Sequence, residues 1–552
     1  MTELLSASNL SVEFTSRGKK IQAVKNLSFT VNKDQSLGIV GESGSGKSQT
    51  VLSIMGLLES NGRATGSVIF DKKEILGIKA KNLNEIRGRS IGMVFQDPMS
   101  SLNPYISIGK QMAGVLKRHT KLNKNERKEK CIEMLDAVKI PSPSQRFDGF
   151  SFELSGGMRQ RAMIASALLT SPKLLIADEP TTALDVTVQE QILDLLLEMK
   201  ERFSMSLVLI THDLGVVARS CQKVLVMKDG MEQETGTLEQ VFYSPTADYT
   251  KELLSKSKEM SLDTKAPTTT KKQQDEITAK INKVSVLFPV PKQTIFSRQE
   301  YLRAVDEVSL SIYEGEILGV VGESGSGKST LAKNILKLIE PTTGTIDLFG
   351  ARLAELSKKE MKKARKKMQV VFQDPYSSLN PRMTIFEVLS EPLNSFFPGM
   401  TQDSIEQDVE AAILEVGLDV DFLGRYPHEL SGGQCQRIAI ARALMPKPQL
   451  LICDEAVSAL DASIRAEIID LLLNIKQKRK LTMVFIAHDL AVVKKICDRV
   501  IVMQKGKIVE SGKTEDVFYN PKKPYTRRLL ESVPVPDPKI EQQKLEKRRA
   551  RQ

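Results

Sequence analysis

Apolar residues occur along this chain in short uninterrupted runs that end at polar or glycine-rich segments. The runs SLGIV (36–40), ILGVV (317–321), KLLIA (173–177) and SLVLI (206–210) are apolar at nearly every position. Such runs are typical of strands covered on both faces, as in a parallel sheet. Between them lie stretches rich in helix formers, such as NKNERKEKCIEMLDAV (123–138). The pattern predicts an α/β fold with a helical subdomain.

The same pattern occurs twice, because the chain repeats itself at the scale of a whole domain. GESGSGKS stands at 41–48 and again at 322–329. A near-constant offset of about 280 residues indicates two tandem homologous domains rather than a solenoid. The other repeated segments are FQDPMSSLNP and FQDPYSSLNP (95–104, 372–381), ELSGGMRQR and ELSGGQCQR (153–161, 429–437), LLIADEPTTALD and LLICDEAVSALD (174–185, 450–461), and LITHDL and FIAHDL (209–214, 485–490).

The segments outside the repeats mark the domain boundaries. We predict a first domain over 1–257 and a second over 277–535. The segment between them, 258–276, is rich in Lys, Thr and Gln without apolar periodicity, so we interpret it as a flexible linker. Residues 536–552 form a charged tail that we expect to be poorly ordered.

Composition adds only broad limits. The 552 residues are 41% apolar and 27% charged, which is ordinary for a globular protein. A net charge of +11 suits an anionic membrane surface or a nucleic acid, and equally a solvated basic surface. No apolar run reaches the ~18 residues of a membrane span, and the first residues lack signal-peptide features. We therefore expect a cytosolic protein.

The cysteines have no metal-ligand spacing and are interpreted as small buried hydrophobes: Cys131, Cys221, Cys435, Cys453 and Cys497.

GESGSGKS matches the phosphate-binding loop GxxxxGK[ST]. Its glycines let backbone amides surround a polyphosphate at a helix N-terminus. Lys47 and Lys328 would reach the β- and γ-phosphates, and Ser48 and Ser329 would ligate Mg²⁺. The predicted ATP-binding residues of the two loops are Gly41, Ser43, Gly44, Ser45, Gly46, Lys47, Ser48 and Gln49, and Gly322, Ser324, Gly325, Ser326, Gly327, Lys328, Ser329 and Thr330.

An acidic pair follows a later apolar run in each copy. Asp178 and Asp454 end the runs LLIAD and LLICD, where an aspartate near a phosphate loop can hold Mg²⁺ through its water shell. The next residues, Glu179 and Glu455, could polarise the attacking water. An acidic pair at a strand end can also simply begin a loop, but its position after a phosphate loop favours the catalytic interpretation.

These motifs together resemble those of the ATP-binding cassette (ABC) ATPases over essentially the whole chain. The resemblance implies two tandem P-loop domains, each with a RecA-like α/β core, a helical subdomain and an N-terminal antiparallel β region. It also implies roles for repeated residues: Leu154–Met158 and Leu430–Gln434 as signature loops, Gln96 and Gln373 as Q-loop residues with catalytic and Mg²⁺-binding roles, Asp185 and Asp461 as D-loop residues, and His212 and His488 as switch histidines.

In this family a signature loop faces the phosphate loop of the opposing domain. The resemblance implies that Ser431 and Gly433 contact the γ-phosphate held by Lys47, and that Ser155 and Gly157 do so for Lys328. Two ATP would then close the two domains head to tail, with hydrolysis at both sites. Met158 and Ala456 depart from the pattern, since the other copy has Gln434 and Pro180. The adenine-stacking aromatics expected are Phe14 and Phe288, with Tyr301 as an alternative, although an aromatic in a first strand is often a core residue.

The sequence segments around these motifs resemble those of dipeptide, oligopeptide and nickel importer ATPases. The two cassettes are fused in one chain, as in the microcin C-type peptide importer. The segments are FQDPxSSLNP, YPHELSGGQ (426–434), YSPTADYTKELL (243–254) and YNPKKPYTRRLL (519–530). The first copy has Phe152 where the second has His428.

The resemblance implies a peripheral protein on the cytoplasmic face of a bacterial inner membrane, powering peptide import. It implies two transmembrane permease subunits, docked around Pro98–Pro104 and Pro375–Pro381, and an extracytoplasmic substrate-binding protein. The alternative is a soluble tandem-cassette translation factor acting on ribosomes. Such factors place a long charged hairpin between the cassettes, and this spacer is too short for one, so no nucleic-acid partner is expected.

Overall fold

A computed structural model describes residues 2–16, 18–182, 184–259, 276–290, 299–458, 460 and 462–550. The chain divides into two compact units: Met1–Ser261 together with Pro534–Gln552, and Leu262–Val533. Most of the linker predicted at 258–276 lies outside the described residues. The predicted domain boundaries stay predictions.

The first unit contains an antiparallel sheet and a largely parallel sheet. The antiparallel sheet has the strand order β2-β1-β4-β5, and the other has the order β10-β9-β3-β8-β7-β6, antiparallel only between β9 and β10. The strands of the first unit, in both sheets, are β1 Glu3–Ser16, β2 Lys19–Asn32, β3 Ser36–Val40, β4 Gly62–Phe70, β5 Lys73–Glu74, β6 Ile91–Val94, β7 Leu174–Asp178, β8 Ser206–Thr211, β9 Lys223–Lys228 and β10 Met231–Thr237.

Apolar runs predict these central strands because both faces of the parallel sheet are covered. In β7, Leu174 and Ile176 pack into the core shared with the antiparallel sheet. Leu175 and Ala177, one position along, pack into the core on the helical side. Successive strand residues point to opposite faces, so a strand between two cores must be apolar throughout.

The helices of the first unit cover the parallel sheet and build a separate helical subdomain from α4 to α7. Their bounds are α1 Lys47–Ile54, α2 Ala80–Ile86, α3 Pro98–Ser101, α4 Ile108–His119, α5 Lys124–Ala137, α6 Pro143–Asp148, α7 Gly156–Leu168, α8 Val186–Phe203, α9 Leu214–Ser220, α10 Leu238–Tyr243 and α11 Asp248–Glu259. Helix α5 begins at a capping box formed by Asn123 and Glu126, and its apolar face buries Cys131, Met134 and Leu135.

The second unit repeats this plan with the sheet orders β12-β11-β14-β15 and β16-β17-β18-β13-β19-β20. Its strands are β11 Ile277–Pro289, β12 Tyr301–Tyr313, β13 Ile317–Val321, β14 Thr343–Leu348, β15 Ala351–Arg352, β16 Met368–Val371, β17 Leu450–Asp454, β18 Thr482–Ile486, β19 Arg499–Gln504 and β20 Lys507–Lys513. Its helices are α12 Lys328–Ile335, α13 Lys358–Lys367, α14 Pro375–Ser378, α15 Ile385–Phe396, α16 Gln402–Glu415, α17 Gly432–Leu444, α18 Ala462–Arg479, α19 Leu490–Ile496, α20 Thr514–Tyr519 and α21 Pro524–Glu531.

The last helix, α22 (Pro538–Arg549), belongs to the first unit and packs against α9. This differs from the expectation that residues 536–552 are poorly ordered. Asp537 caps the helix by accepting hydrogen bonds from the amides of Lys539 and Ile540, and Glu541 is completely buried. The sequence of the tail is rich in charged residues, which suggested disorder. The partners of these charges lie far away in the sequence and meet them only in the folded unit.

Among the described residues, no helix combines the length and the hydropathy that crossing a membrane requires. All five cysteines are buried and free, as the sequence interpretation expected of small hydrophobes.

Candidate active sites

The phosphate loop of the first unit connects β3 to α1, which begins at Lys47. Gly46 precedes the helix at φ 94°, and a Cβ there would lie 2.4 Å from the carbonyl oxygen of Ala23. Only glycine fits, which explains the motif. The buried Lys47 ammonium donates to the carbonyl oxygens of Gly41 and Glu42, both at 2.8 Å. The loop thus holds a cation at a helix N-terminus, an arrangement suited to a polyphosphate.

The second unit repeats this geometry. Gly327 stands before α12 at φ 102°, and a Cβ there would lie 2.2 Å from the Ala304 carbonyl oxygen. Lys328 Nζ donates to the carbonyl oxygens of Gly322 and Glu323 at 2.8 and 2.9 Å. The predicted residues Ser43, Gly44, Ser324 and Gly325 are exposed in the loops, and Ser45 and Ser326 are buried. Gln49 and Thr330 lie in the first turns of α1 and α12.

Each loop serine meets the aspartate at the end of a central strand. Ser48 Oγ donates to Asp178 Oδ1 at 3.0 Å, and Ser329 Oγ to Asp454 Oδ1 at 3.0 Å. Burial raises the pKa of Asp178 to about 6, and the hydrogen bond from Ser48 opposes that rise. Burial likewise raises the pKa of Asp454. A hydroxyl and a carboxylate oxygen beside a phosphate loop are hard ligands that fit Mg²⁺.

Glu179 is held from several sides. The backbone of Glu179 has φ 45°. Its carboxylate receives hydrogen bonds from Gln96 Nε2 at 3.0 Å and from Thr182 Oγ1 at 2.9 Å. His212 Nδ1 lies 3.2 Å from Oε1. Burial by itself would raise the pKa of Glu179, but the contacts with His212 and Thr182 lower it overall. The side chain therefore remains a carboxylate that can accept a proton or orient a water.

Glu455 takes the same position in the second unit. It has φ 56°, and its Oε1 lies 3.1 Å from His488 Nδ1. Both glutamates donate their backbone N–H to the end of the neighbouring strand, at Ile210 and Ile486. Ala456 in place of Pro180 therefore leaves the backbone conformation alike. Gln373 follows β16, as Gln96 follows β6, and is exposed.

The signature serines cap helices in both units. Ser155 Oγ accepts a hydrogen bond from Met158 N, and Ser431 Oγ accepts one from Gln434 N, each at 3.3 Å. Gln434 also accepts from Ser431 N, which completes a capping box that Met158 cannot form. Both serines are exposed at helix N-termini, which leaves a hydroxyl and helix amides open to an anion.

The structure thus brings together, within each unit, the phosphate loop, the strand-end acidic pair and the histidine. Asp185 caps α8 by accepting hydrogen bonds from Val188 N and Thr187 Oγ1 at 3.0 and 2.7 Å. Asp461, its predicted counterpart, lies outside the described residues. Sequence reasoning missed Thr182, whose hydroxyl donates to the carboxylate of Glu179, the predicted catalytic glutamate. The repeat contains a signal for it, because Thr182 aligns with another hydroxyl residue, Ser458.

The proposed adenine-stacking aromatics occupy different environments. Phe14 is half-buried and packs at the margin of the core, where a Cβ on Gly62 would lie 2.6 Å from its ring. Phe288 and Tyr301, at the ends of β11 and β12, are 37% and 58% exposed. The stacking role of all three stays a prediction.

Two α/β units, each with a phosphate loop, a strand-end acidic pair and a switch-like histidine, define the class of tandem P-loop ATPases. The family model described as "ABC transporter" matches residues 24–182 and 305–458. The model described as "Oligopeptide/dipeptide transporter, C-terminal region" matches residues 509–552. The chain belongs to the ABC transporter family, with two fused ATPase cassettes, which confirms the resemblance and the fold class drawn from its motifs.

Relatives match along almost the whole chain. The "Peptidoglycan transport ATP-binding protein YejF" of Agrobacterium fabrum is 44% identical over 96% of this chain and 96% of its own length. The "Glutathione import ATP-binding protein GsiA" of Escherichia coli K12 is 42% identical over 97% of this chain and 90% of its own. Among solved structures, cbiO1 from Clostridium perfringens, part of the ABC transporter complex cbiONQ, is 26% identical over 49% of this chain and 99% of its own, with a TM-score of 0.40.

Proposed function

We propose that this protein is the ATP-hydrolysing subunit of an importer that moves peptides across a membrane. The observation that carries the proposal is the pairing, in both cassettes, of a phosphate loop with a glutamate beside a histidine, Glu179 with His212 and Glu455 with His488. The matched oligopeptide and dipeptide transporter region supports peptides as the substrate class. The names of the two relatives, which concern glutathione and peptidoglycan transport, are compatible with that class.

Two hydrolytic sites follow from this proposal. Lys47 and Lys328 bind the phosphates, and Glu179 and Glu455 polarise the attacking water, with His212 and His488 orienting them. Mg²⁺ would be held by Ser48 with Asp178 and by Ser329 with Asp454, with Gln96 and Gln373 as further ligands, and it would neutralise phosphate charge.

The signature loops complete the two sites in the proposed cycle. Ser431 and Gly433 would contact the ATP held by Lys47, and Ser155 and Gly157 the ATP held by Lys328. The two serines are exposed at helix N-termini, which supports this role. ATP binding would then close the cassettes head to tail, and hydrolysis would let them open.

The partners proposed are two transmembrane permease subunits and an extracytoplasmic substrate-binding protein, with this chain peripheral on the cytoplasmic face of the inner membrane. The permeases would dock around 98–104 and 375–381. In the first cassette this region exposes apolar side chains, with Tyr105 89% and Met99 62% exposed, and Phe152 is 66% exposed. Large exposed apolar side chains are often found at protein interaction sites.

The test uses the variant Glu179→Gln/Glu455→Gln, which keeps the shape of both side chains but cannot accept a proton. With ATP and Mg²⁺ we expect ATP binding to persist and turnover to fall by a factor of about 100 or more. Recovered from its native host in the ATP-bound state, the variant should bring along two multi-span membrane proteins, identified by mass spectrometry.

The matched control is Glu129→Gln/Glu406→Gln, which changes exposed glutamates on α5 and α16. It should hydrolyse ATP like the unchanged protein. Recovery of the trapped variant with ribosomes, and without membrane proteins, would overturn the importer proposal.

A further inference from the structure

The segment from Pro534 to Arg549, here the C-terminal strap, follows the second cassette in sequence but belongs to the first unit. It packs against α9, the helix whose N-cap residue Asp213 comes directly after His212. The chain therefore returns, after the second cassette, to the element next to a proposed catalytic residue of the first.

The strap is attached through buried charges. The Glu541 side chain is 0% exposed and Arg219, on α9, is 1% exposed, with 3.9 Å between their charged atoms. Glu541 Oε1 also receives the Val535 amide at 2.9 Å and Lys544 Nζ at 2.8 Å. Buried charges are costly unless they are paired, so this contact depends on the charged groups around it.

Helix α8 supplies the matching acids. Asp194 lies 2.5 Å from Arg219 Nη2, and Glu190 lies 3.6 Å from Nη1. Arg548, at the end of the strap, forms ion pairs with the same two acids. Arg219 and Arg548 thus share the two carboxylates of α8, and the strap extends a charge network that the first cassette begins.

Three further contacts, made by Gly215 and Tyr243, fix where the strap lies. A Cβ on Gly215 would come within 2.9 Å of Pro534 backbone and ring atoms, so the strap passes directly over a glycine. Tyr243 donates its hydroxyl hydrogen to Asp537 at 2.7 Å, and Lys539 Nζ lies 5.0 Å from the Tyr243 ring centroid.

The second cassette lacks three of the residues that contact the strap. Its equivalents of Glu190, Gly215 and Arg219 are Ala466, Ala491 and Lys495. An alanine at the Gly215 position places a Cβ where the strap would run, and Ala466 removes one of the acids.

The contact between a lysine and a tyrosine ring also differs between the two cassettes. In the second cassette, Lys494 of α19 covers the ring of Tyr519 at 4.4 Å. The first cassette has Ala218 at the position of Lys494, and the strap's Lys539 covers the equivalent ring of Tyr243. The lysine over this ring therefore comes from the strap in the first cassette and from the cassette's own helix α19 in the second.

We propose that the C-terminal strap is a docking element specific for the first cassette, and that Glu541 is a positioning residue that braces α9 and, through it, His212. The two ATP sites are then unequal, because only the first depends on the last residues of the chain. The effect on hydrolysis rests on the proposed function, whereas the docking does not.

The test measures both properties in the full chain carrying Glu541→Gln. Hydrogen exchange of the amides in 538–549 should become at least about tenfold faster, since a buried partner of Arg219 is neutralised. The kcat for ATP should fall at least about twofold with KM unchanged, because the phosphate loops are not altered. Glu541→Asp, which keeps the charge, should restore most of both.

Two variants control for general damage. Glu546→Gln changes an exposed acid on the same helix and should alter neither measurement. Gly215→Ala displaces the strap from the receiving side and should reproduce the effects of Glu541→Gln, whereas Ala491→Gly, its counterpart in the second cassette, should have none.

Unchanged exchange of 538–549 in both Glu541→Gln and Gly215→Ala would overturn the docking proposal. Faster exchange with unchanged kcat would overturn the positioning role and leave ATP hydrolysis intact. A chain that hydrolyses no ATP before any change would contradict the proposed function instead, and the exchange measurement would still decide the docking.

Discussion

Glu179 and Glu455, the proposed catalytic glutamates, show how the same residue type can be held in two ways. Glu179 receives hydrogen bonds on its carboxylate from Gln96 and Thr182. At the equivalent place in the second cassette, Ser458 Oγ donates at 2.8 Å to the backbone carbonyl of Glu455 rather than to its carboxylate. The loss of the hydroxyl should therefore have unequal consequences in the two sites.

We expect Thr182→Val to slow hydrolysis at the first site roughly tenfold, because a hydrogen bond to a charged group is lost while the side-chain shape is kept. Steady-state turnover of the whole chain should fall at least about twofold with KM for ATP unchanged. Ser458→Ala should leave turnover within about 1.5-fold, since the carboxylate keeps its contact with His488. Equal losses in the two variants would contradict this reading of the geometry.

At the scale of elements, the second glycine of each signature loop is where two helices approach closely. A Cβ on Gly157 would lie 2.6 Å from Val188 Cγ1 of α8, and one on Gly433 would lie 2.7 Å from Ile464 Cγ2 of α18. The preceding glycines have room, because a Cβ on Gly156 has its nearest neighbour at 3.8 Å. The two adjacent glycines therefore serve different purposes.

Gly157→Ala and Gly433→Ala should push the N-termini of α7 and α17 away from the following helices and lower ATPase turnover at least about fivefold, as overpacking costs typically 1–3 kcal/mol. The neighbouring variants Gly156→Ala and Gly432→Ala serve as controls and should retain most of the turnover. ATP binding measured without hydrolysis should persist in all four, because the phosphate loops are untouched. Similar losses at both positions of a loop would mean that packing is not the reason.

The strap makes a related point about elements. Its residues are charged and follow the second cassette, so the sequence pattern predicted a poorly ordered tail. In the structure Glu541 is buried and α22 lies on α9. The ion pairs that stabilise the helix join residues more than 300 positions apart, such as Arg219 and Glu541, and no local pattern reveals such pairs.

At the scale of the whole molecule, the duplication places one complete phosphate loop in each cassette. Both loop lysines are buried and donate to two carbonyl oxygens. Neither loop carries a substitution that would disable it, so both should bind ATP.

Equilibrium binding should accordingly give two ATP per chain, one in Lys47→Ala, one in Lys328→Ala, and neither binding nor turnover in the double variant, because the ammonium that meets the phosphates is lost. The control Lys81→Ala/Lys359→Ala changes exposed lysines on α2 and α13 and should bind like the unchanged protein. Substantial turnover in the Lys47→Ala/Lys328→Ala variant would refute the assignment of both sites.

The sequence by itself determined the duplication and the α/β class, and it supplied the candidates for the nucleotide-binding residues. Those features are local: a glycine-rich loop such as 41–48, an apolar strand such as 174–178 and an acidic pair follow one another within a few residues. Their residue types and spacing can be recognised in the sequence without knowing which residues lie nearby in the fold.

Only the tertiary structure decided which side chains support them. Thr182 holds Glu179 because a left-handed turn brings them together, Val188 requires glycine at position 157, and Glu541 meets Arg219 across most of the chain. Each of these relations depends on distances between elements, which a pattern along the sequence does not contain. The strap is ordered for the same reason, since its charges are satisfied only where α8 and α9 supply their partners.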